Sequence, residues 1–302
     1  MALSLISYAA QSPSPMTHKL VERVTNKSAF LKVLKFLKAT GLDYKYAVRK
    51  AQPAAGGRAL NALYTAGQSL ITPEVETLVV MGGKSTPDSV IVESPNGQTV
   101  RAREIGGLVN STGLNFDKYV IKGDPAVDPT QFTGLQARCS GSQLITAGTN
   151  GANCTRGMVD QTIDAVVGSE ENKVLICDKY IRRQLTILKA GISAFSQDAQ
   201  NLIQIKSWND IPIIVLDEDG QQTPILSQNE TCGNSSVTTS LYCAKLGGDA
   251  DEEYLQGIIG LDGEIKVRQV GCLGEYYLDV VELVVGIGTF HPRTVARLKG
   301  LL

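Results

Sequence analysis

The feature that most constrains the fold is a long stretch of regularly spaced apolar residues between Thr99 and Ile121. Its apolar side chains recur at the intervals of one helix face: Val100, Ile105, Leu108, Val109, Phe116, Val120 and Ile121. This spacing predicts one long helix, although three internal glycines each cost about 1 kcal/mol relative to alanine. Gly123, followed by Asp-Pro, is a suitable end for that helix.

Helix and strand patterns alternate after this point, and the last hundred residues are rich in strand patterns. "MVDQTIDAVVG" and "KYIRRQLTILKAG" predict helices, whereas "KVLICD" and "DIPIIVLDEDG" predict strands. Further strands are predicted in "VETLVVMGG", "SSVTTSLYCAKLG", "YLQGIIGL", "EIKVRQVGCL" and "YYLDVVELVVGIGTF". This order of elements predicts a mixed α+β fold.

The N-terminal part of the chain is basic. Nine basic and two acidic residues lie in the first 50 residues, although the whole chain has a net charge of −1. Residues 17–39 predict an amphipathic helix with Lys32, Lys35 and Lys38 on one face. Its other face is apolar: Phe30, Val33, Leu34 and Leu37. Residues 52–72 have no sustained period and predict an extended loop.

The composition excludes several classes of protein. No apolar run approaches the roughly 18 residues of a membrane span, so no membrane partner is expected. Six cysteines without a CxxC pair, together with only two histidines, provide no zinc signature. We therefore expect mostly reduced core thiols and no metal. A secreted glycoprotein with disulfides stays open as an alternative and would have no free thiols.

No motif predicts a catalytic centre. "LVVMGGKST" resembles the start of a phosphate-binding loop, but Leu78 stands where that motif needs its first glycine. "DEDG" lacks the spacing of a calcium loop and predicts a hairpin turn. There is no GxSxG, and a triad would have to use His18 or His291, near the two ends of the chain. The sequence favours a protein that is not an enzyme and has no cofactor, with a hydrolase of unrecognised type as an alternative.

A turn-rich segment after the predicted helix carries a resemblance to a known family. The order of "DSVIVES", a long helix, "KYVIKGDPAVDPTQFTGLQAR" and "SQLITAG" resembles the major capsid proteins of tailed bacteriophages, which have the Hong Kong 97-type fold. The order of the later segments, from "VLICDKYIRRQLTILKAG" to "ELVVGIGTFHPRTVARLKGL", is similar as well. The positions that match the family motif are Gly123, Asp124, Asp128, Pro129, Phe132, Gly134 and Leu135.

This resemblance implies a division of the chain into structural parts. It implies an N-terminal arm with a basic helix, an extended loop with peripheral strands, a peripheral domain with a spine helix, an axial domain and a C-terminal return to the peripheral domain. The corresponding residues are 1–40, 41–85, 86–134, 135–270 and 271–302. The turn-rich segment would be the hinge between the spine helix and the axial domain.

The resemblance also implies a function. Such a chain would assemble with itself into pentamers and hexamers that form the icosahedral head around double-stranded DNA. Lys32, Lys35 and Lys38 would face the interior and contact DNA without reading its sequence. A scaffolding protein, a portal and a decoration protein are the expected partners, with assembly in the bacterial cytoplasm and a final location in the virion capsid. An encapsulin-like cargo compartment is the alternative with the same fold.

Overall fold

The computed structural model describes residues 27–64, 66–192, 206–248, 254–260 and 265–302. The helices in these residues are α1 (Ala29–Val33), α2 (Ser89–Glu93), α3 (Gly97–Lys122), α4 (Leu135–Arg138), α5 (Arg156–Ala165) and α6 (Lys179–Ile192). The first strands are β1 (Phe36–Lys38), β2 (Asp43–Ala51), β3 (Leu70–Thr77), β4 (Val79–Ser85), β5 (Leu144–Thr146), β6 (Lys173–Cys177), β7 (Ser207–Trp208) and β8 (Ile211–Val215). The remaining strands are β9 (Glu230–Cys232), β10 (Ser235–Lys245), β11 (Leu255–Ile259), β12 (Lys266–Leu273), β13 (Tyr276–Thr289) and β14 (Val295–Leu301).

Helix α3 confirms the long helix that the apolar spacing predicts. It has 26 residues and ends at Gly123, whose N–H donates to the carbonyl oxygen of Tyr119 at 2.9 Å. Its apolar stripe is buried, with Val109, Phe116 and Val120 fully inaccessible to solvent. The helix therefore forms one wall of the larger hydrophobic core.

A five-stranded sheet lies against α3 and is organised around β13. Strand β4 pairs with one edge of β13, while β11 and β12 follow one another along its other edge. Val281, for example, lies opposite Gly83 of β4 and Val267 of β12. Strand β1 adds to the outer edge of β11 in parallel.

A seven-stranded sheet forms the second layer of the fold. Its order is β5-β14-β10-β6-β8-β7, and β9 pairs with β10 as well. Helices α5 and α6 cover it through Val159, Ile163, Ile181 and Leu185, which belong to a second hydrophobic cluster. The fully buried strand β6, parallel to β8, is the pattern expected of a strand covered on both faces.

Strands β2 and β3 form a separate two-stranded antiparallel sheet, which we call the ribbon. The ribbon carries the predicted extended loop at its far end. This loop, residues 52–69, has no helix or strand among its described residues, and Leu60 and Leu63 in it are 94% and 95% exposed. No described helix is long and apolar enough to cross a membrane.

The predicted helix at residues 17–39 is wrong in its last part. Helix α1 ends at Val33, and Phe36–Lys38 is strand β1. The Phe36 ring occupies the space beside Gly257, where an added Cβ would lie 2.3 Å from the ring, and it lies 6.4 Å from the Phe116 ring. The pairing of β1 with β11 and the burial of the Phe36 ring thus outweigh the helical spacing of the apolar residues. Residues 17–26 lie outside the described residues.

The boundary predicted at residue 270 does not coincide with the division between the sheets. Strands β11 and β12 already belong to the five-stranded sheet, and the chain crosses to the seven-stranded sheet again at β14. Residues 271–302 contribute to both sheets, because β14 pairs with β10 and β5. These partners lie far away in sequence, so local patterns do not reveal them.

Candidate functional site

Six of the seven family-motif residues lie in one loop, residues 123–134, which connects α3 to α4, and the seventh, Leu135, begins α4. The N–H of Gly134 donates to the carbonyl oxygen of Gly123 at 2.8 Å, so the two ends of the loop meet. A Cβ added at Gly123 would lie 2.3 Å from the Phe132 carbonyl oxygen, and one at Gly134 would lie 2.7 Å from that of Tyr119. Only glycine allows this approach of the backbone segments.

Two aspartates hold the turns inside this loop. Asp124 accepts a hydrogen bond from the N–H of Ala126 at 2.9 Å. Asp128 accepts from the N–H and the hydroxyl of Thr130, at 2.9 and 2.7 Å, and from the Gln131 amide at 3.1 Å. These hydrogen bonds, first the one from the Thr130 N–H, lower the pKa of Asp128. Short polar side chains therefore replace the backbone pairing that a regular element would provide.

Apolar residues fasten the loop to the core. Phe132 is 3% exposed, and its ring lies 5.8 Å from that of Phe116 and 6.1 Å from that of Tyr119. Leu135, the first residue of α4, is fully buried. Pro129, between Asp128 and Thr130, is exposed on the outside of the loop. The loop is therefore a folded unit anchored on α3.

Arg138, at the end of α4, binds the base of the ribbon. Its guanidinium donates to both carboxylate oxygens of Glu76 in β3, at 2.6 and 2.8 Å. It also donates to the Thr289 hydroxyl at 2.9 Å and to the carbonyl oxygens of Ile287 and Thr133 at 3.1 and 3.0 Å. All five N–H groups of the guanidinium are thus in use.

The Arg138 and Glu76 side chains are only 13% and 14% exposed, so the pair is shielded from water. The Tyr46 hydroxyl of β2 donates to Glu76 at 3.0 Å, and the Tyr46 ring packs edge-on against Phe290 at 4.6 Å. Burial, and then the negative charge of Glu76, raise the pKa of Tyr46 above its usual range. Sequence reasoning missed this cluster, because isolated charged residues are usually exposed and carry no local signal.

The three lysines of the predicted basic face do not share one helix. Lys32 lies on α1 and Lys38 on β1, both exposed, while Lys35 lies between these elements and is partly buried. The predicted single face is therefore wrong in geometry, because the helix ends at Val33.

A buried carboxylate of α3 holds the beginning of α1. Asp117 is 3% exposed and accepts hydrogen bonds from the Ser28 hydroxyl at 2.5 Å and from the N–H groups of Ala29 and Phe30 at 2.8 and 3.2 Å. Burial raises the pKa of Asp117 to about 6, although these hydrogen bonds and the charge of Lys32 act in the opposite direction. This contact ties the N-terminal segment to α3.

The sequence motifs that weakly resembled catalytic or ligand-binding sites lie in an ordinary strand and an ordinary turn. Gly82 and Gly83 of "GGKS" lie inside β4, paired with β13, and form no phosphate-binding loop. "DEDG" ends in a turn, where Asp219 accepts from the N–H groups of Gln221 and Thr223 at 2.8 and 2.9 Å. No group of residues suited to a metal occurs in the described part of the chain, which contains His291 but not His18.

Most of the cysteines lie in the core, as predicted from the sequence. All six are free, and Cys272 is exposed while the other five are buried. Burial raises the pKa of the Cys154 thiol to about 11, and those of Cys139, Cys177 and Cys243 to about 12. These buried thiols are therefore poor nucleophiles at neutral pH.

Comparison with known proteins matches part of this chain to a protein family and most of it to a known fold. Residues 12–159, nearly half of the chain, match the family described as Major capsid protein GP7. The capsid of a native GTA particle has a TM-score of 0.65 and 12% identity, covering 91% of each chain. The cyanophage A-1(L) capsid has a TM-score of 0.66 and 11% identity, covering 91% of this chain and 93% of that one.

A shell protein of another kind is similar as well. The SrpI encapsulin of Synechococcus elongatus PCC 7942 has a TM-score of 0.61 and 12% identity, covering 90% of this chain and 86% of that one. No curated protein matches this chain in sequence. The structural matches establish that this chain has the Hong Kong 97-type capsid fold, and the part of it that matches the major capsid protein family includes α3 and the loop at residues 123–134.

Proposed function

We propose that this chain is the repeating subunit of an icosahedral phage head, assembling into pentamers and hexamers around double-stranded DNA. The match of residues 12–159 to the major capsid family is the observation that carries this proposal. The fold supports the proposal, since the structural similarity to the two capsid subunits extends over about nine-tenths of this chain.

The exposed apolar residues of the chain fit a subunit that neighbours surround. Leu60, Leu63 and Tyr64 in the loop of the ribbon are 94%, 95% and 70% exposed, and Val90 on α2 is 77% exposed. Burying such side chains contributes about 1.5–3 kcal/mol each. Copies of the same chain supply that burial in a closed shell.

The two sheets suggest how the chain divides in the shell. We assign the five-stranded sheet, α3 and the loop at residues 123–134 to the peripheral domain. The seven-stranded sheet with α5 and α6 is the proposed axial domain, whose tips meet around the five-fold and six-fold centres. The loop at residues 123–134 then serves as the hinge between them.

Lys32, Lys35 and Lys38 are proposed to face the interior and offset phosphate charge on packaged DNA. Their different elements place them along the N-terminal segment instead of on one helix face. Changing all three to glutamine is expected to lower the amount of DNA retained in purified heads. Unchanged assembly and packaging would reject this role.

A scaffolding protein, a portal and a decoration protein are the proposed partners, with assembly in the bacterial cytoplasm. Co-expression with candidate scaffolding proteins tests the first of these. Particles of uniform size that form only with the scaffold would support it, and uniform particles from the chain alone would show that it is not needed.

A cargo compartment is the second candidate, favoured by the similarity to the SrpI encapsulin. The contents of purified particles separate the two functions. Nuclease-protected double-stranded DNA in particles from infected cells supports a phage head, whereas a stoichiometric protein cargo without DNA supports a compartment.

Electron microscopy and sedimentation of the chain expressed alone are the primary test. Shells, capsomer rings or tubes with one repeating subunit are expected. A uniform monomer or dimer, both alone and with a scaffolding protein, would reject the proposed function.

A further inference from the structure

The ribbon is attached to the body by two kinds of contact. At its root, Leu78 and the partly buried Tyr44 pack with Ala39, Ile258 and Val284 in a small apolar cluster. At the same level of the ribbon, Arg138 of α4 binds Glu76, the residue paired with Tyr44. The first contact is apolar and the second is a bidentate ion pair that is largely shielded from water.

These contacts constrain the ribbon differently. Apolar packing is non-directional, so the cluster at the root and the contact of Tyr46 with Phe290 hold the ribbon against the body but leave its angle less defined. A bidentate pair between guanidinium and carboxylate has a fixed planar geometry. Arg138 itself is held by Thr133, Ile287 and Thr289, which belong to the body. Because Arg138 is held by the body, it fixes the direction of the Glu76 side chain relative to the body.

A cleft beneath the ribbon leaves it room to tilt. Its volume is about 220 Å³, and it lies between the ribbon, at Lys50 and Glu74, and the body, at His291 and Pro292. Arg138 and Glu76 also line this cleft. The ion pair thus lies where a change in the angle of the ribbon would open or close the cleft.

Arg138 is also connected to the end of α3. Its Nε donates to the Thr133 carbonyl oxygen in the loop at residues 123–134, and that loop is closed by the contact between Gly134 and Gly123. We propose that Arg138 is a positioning residue: by holding Glu76, it sets the angle at which the ribbon leaves the body and couples that angle to the end of α3. The effect on shells rests on the proposed function, but the angle itself does not.

The chain contains a matched control. Arg101 of α3 also forms a buried bidentate pair, with Asp279 of β13, at 2.7 and 2.6 Å, and the two side chains are 12% and 0% exposed. This pair joins α3 to the five-stranded sheet and does not contact the ribbon. Lysine cannot reproduce either bidentate geometry, so R138K and R101K remove the same kind of interaction at two places.

The angle can be measured by the distance between two spin labels on the full-length, unassembled chain. Cys272, exposed on β12, provides the label on the body, and Ile71→Cys, at a position 52% exposed on β3, provides the label on the ribbon. The five other thiols are buried, and labelling without the Ile71 change verifies that only Cys272 reacts.

R138K is expected to broaden and shift the distance distribution, whereas R101K leaves it unchanged while lowering the midpoint of urea unfolding. E76Q provides a second test if R138K fails to fold, because glutamine keeps the size of the side chain and an acceptor for Tyr46. A distribution like that of the unmodified chain in both R138K and E76Q would overturn the proposal. Equal broadening in R101K would overturn it as well, since the effect would then reflect general loosening.

The shell provides an independent readout. If the ribbon angle positions the chain for its neighbours, R138K widens the spread of particle diameters, whereas R101K lowers yield without widening it. Equal diameters in R138K and unmodified particles would overturn the link between ribbon angle and shell. Absence of particles from the unmodified chain would instead count against the proposed function, and the spin-label distances would still decide the role of Arg138.

Discussion

Two long connections, residues 52–69 and residues 123–134, have no helix or strand in their described residues and differ in how they are held. The second is closed on itself by Gly134 and Gly123 and buries Phe132 against α3. The first has a local turn, in which the Ala62 N–H donates to the Ala59 carbonyl oxygen at 3.1 Å, but exposes Leu60 and Leu63 almost completely. The loop at residues 123–134 is thus stabilised by contacts within its own chain, whereas the loop at residues 52–69 leaves apolar side chains exposed.

The largest expected difference between the two loops concerns their apolar side chains. Phe132→Ala should lower the free energy of unfolding by about 3–5 kcal/mol, because it leaves a cavity beside Phe116 and Tyr119. Leu63→Ala should change it by less than about 0.5 kcal/mol in the unassembled chain. Urea unfolding measures both values. Similar losses for the two variants would contradict the comparison.

The attachment of the N-terminal segment should make the free energy of unfolding depend on pH, because this segment is held by Asp117. The folded pKa of Asp117, about 6, exceeds its unfolded value, so the protonated form favours folding. The stability from this group is therefore complete below about pH 4 and lost as the pH rises through 6, by roughly 2–3 kcal/mol. Unfolding free energies measured between pH 4 and pH 7 should fall more steeply in the unmodified chain than in D117N. Equal slopes would show that Asp117 titrates normally.

The closure of the loop at residues 123–134 can be tested without changing charge or burying a polar group. Gly123→Ala should lower the free energy of unfolding by about 1–3 kcal/mol, since its Cβ would overlap the carbonyl oxygens of Phe132 and Tyr119. Gly107→Ala on α3 has no atom within 4 Å of the added Cβ and should raise stability by up to about 1 kcal/mol. Thermal unfolding of the two variants checks both signs, and a neutral G123A would contradict the closed loop.

Changes in the loop at residues 52–69 are expected to have the smallest effect on the free energy of unfolding. Assembly should nevertheless change clearly how accessible this loop is to a protease. Arg58 lies in this exposed loop, so trypsin should cut there in the unassembled chain. Assembled particles should resist the cut if neighbours cover the loop. Mass spectrometry of the fragments identifies the site. Equal cleavage in both forms would show that the loop stays open in the shell.

Much of the fold was predictable where the pattern is local. The spacing of apolar residues predicts α3, and the confirmed strands β6, β8, β10 and β13 follow from runs of apolar and β-branched residues. The glycines at the end of α3 also mark the loop of the candidate site. Residues Phe36–Lys38 were predicted as helix, because the competing interaction is a pairing with β11 that lies more than two hundred residues away.

Local sequence patterns were sufficient to predict the α+β class, the long helix, the turn-rich motif from Gly123 to Leu135 and the resemblance to capsid subunits. These depend on the spacing of neighbouring residues, which carries its own physical signal. Only the folded chain shows that β14 joins the seven-stranded sheet, that Asp117 holds the start of α1 and that Arg138 binds Glu76 of the ribbon. Such contacts join distant segments, and their strength comes from burial and geometry that exist only after the chain has folded.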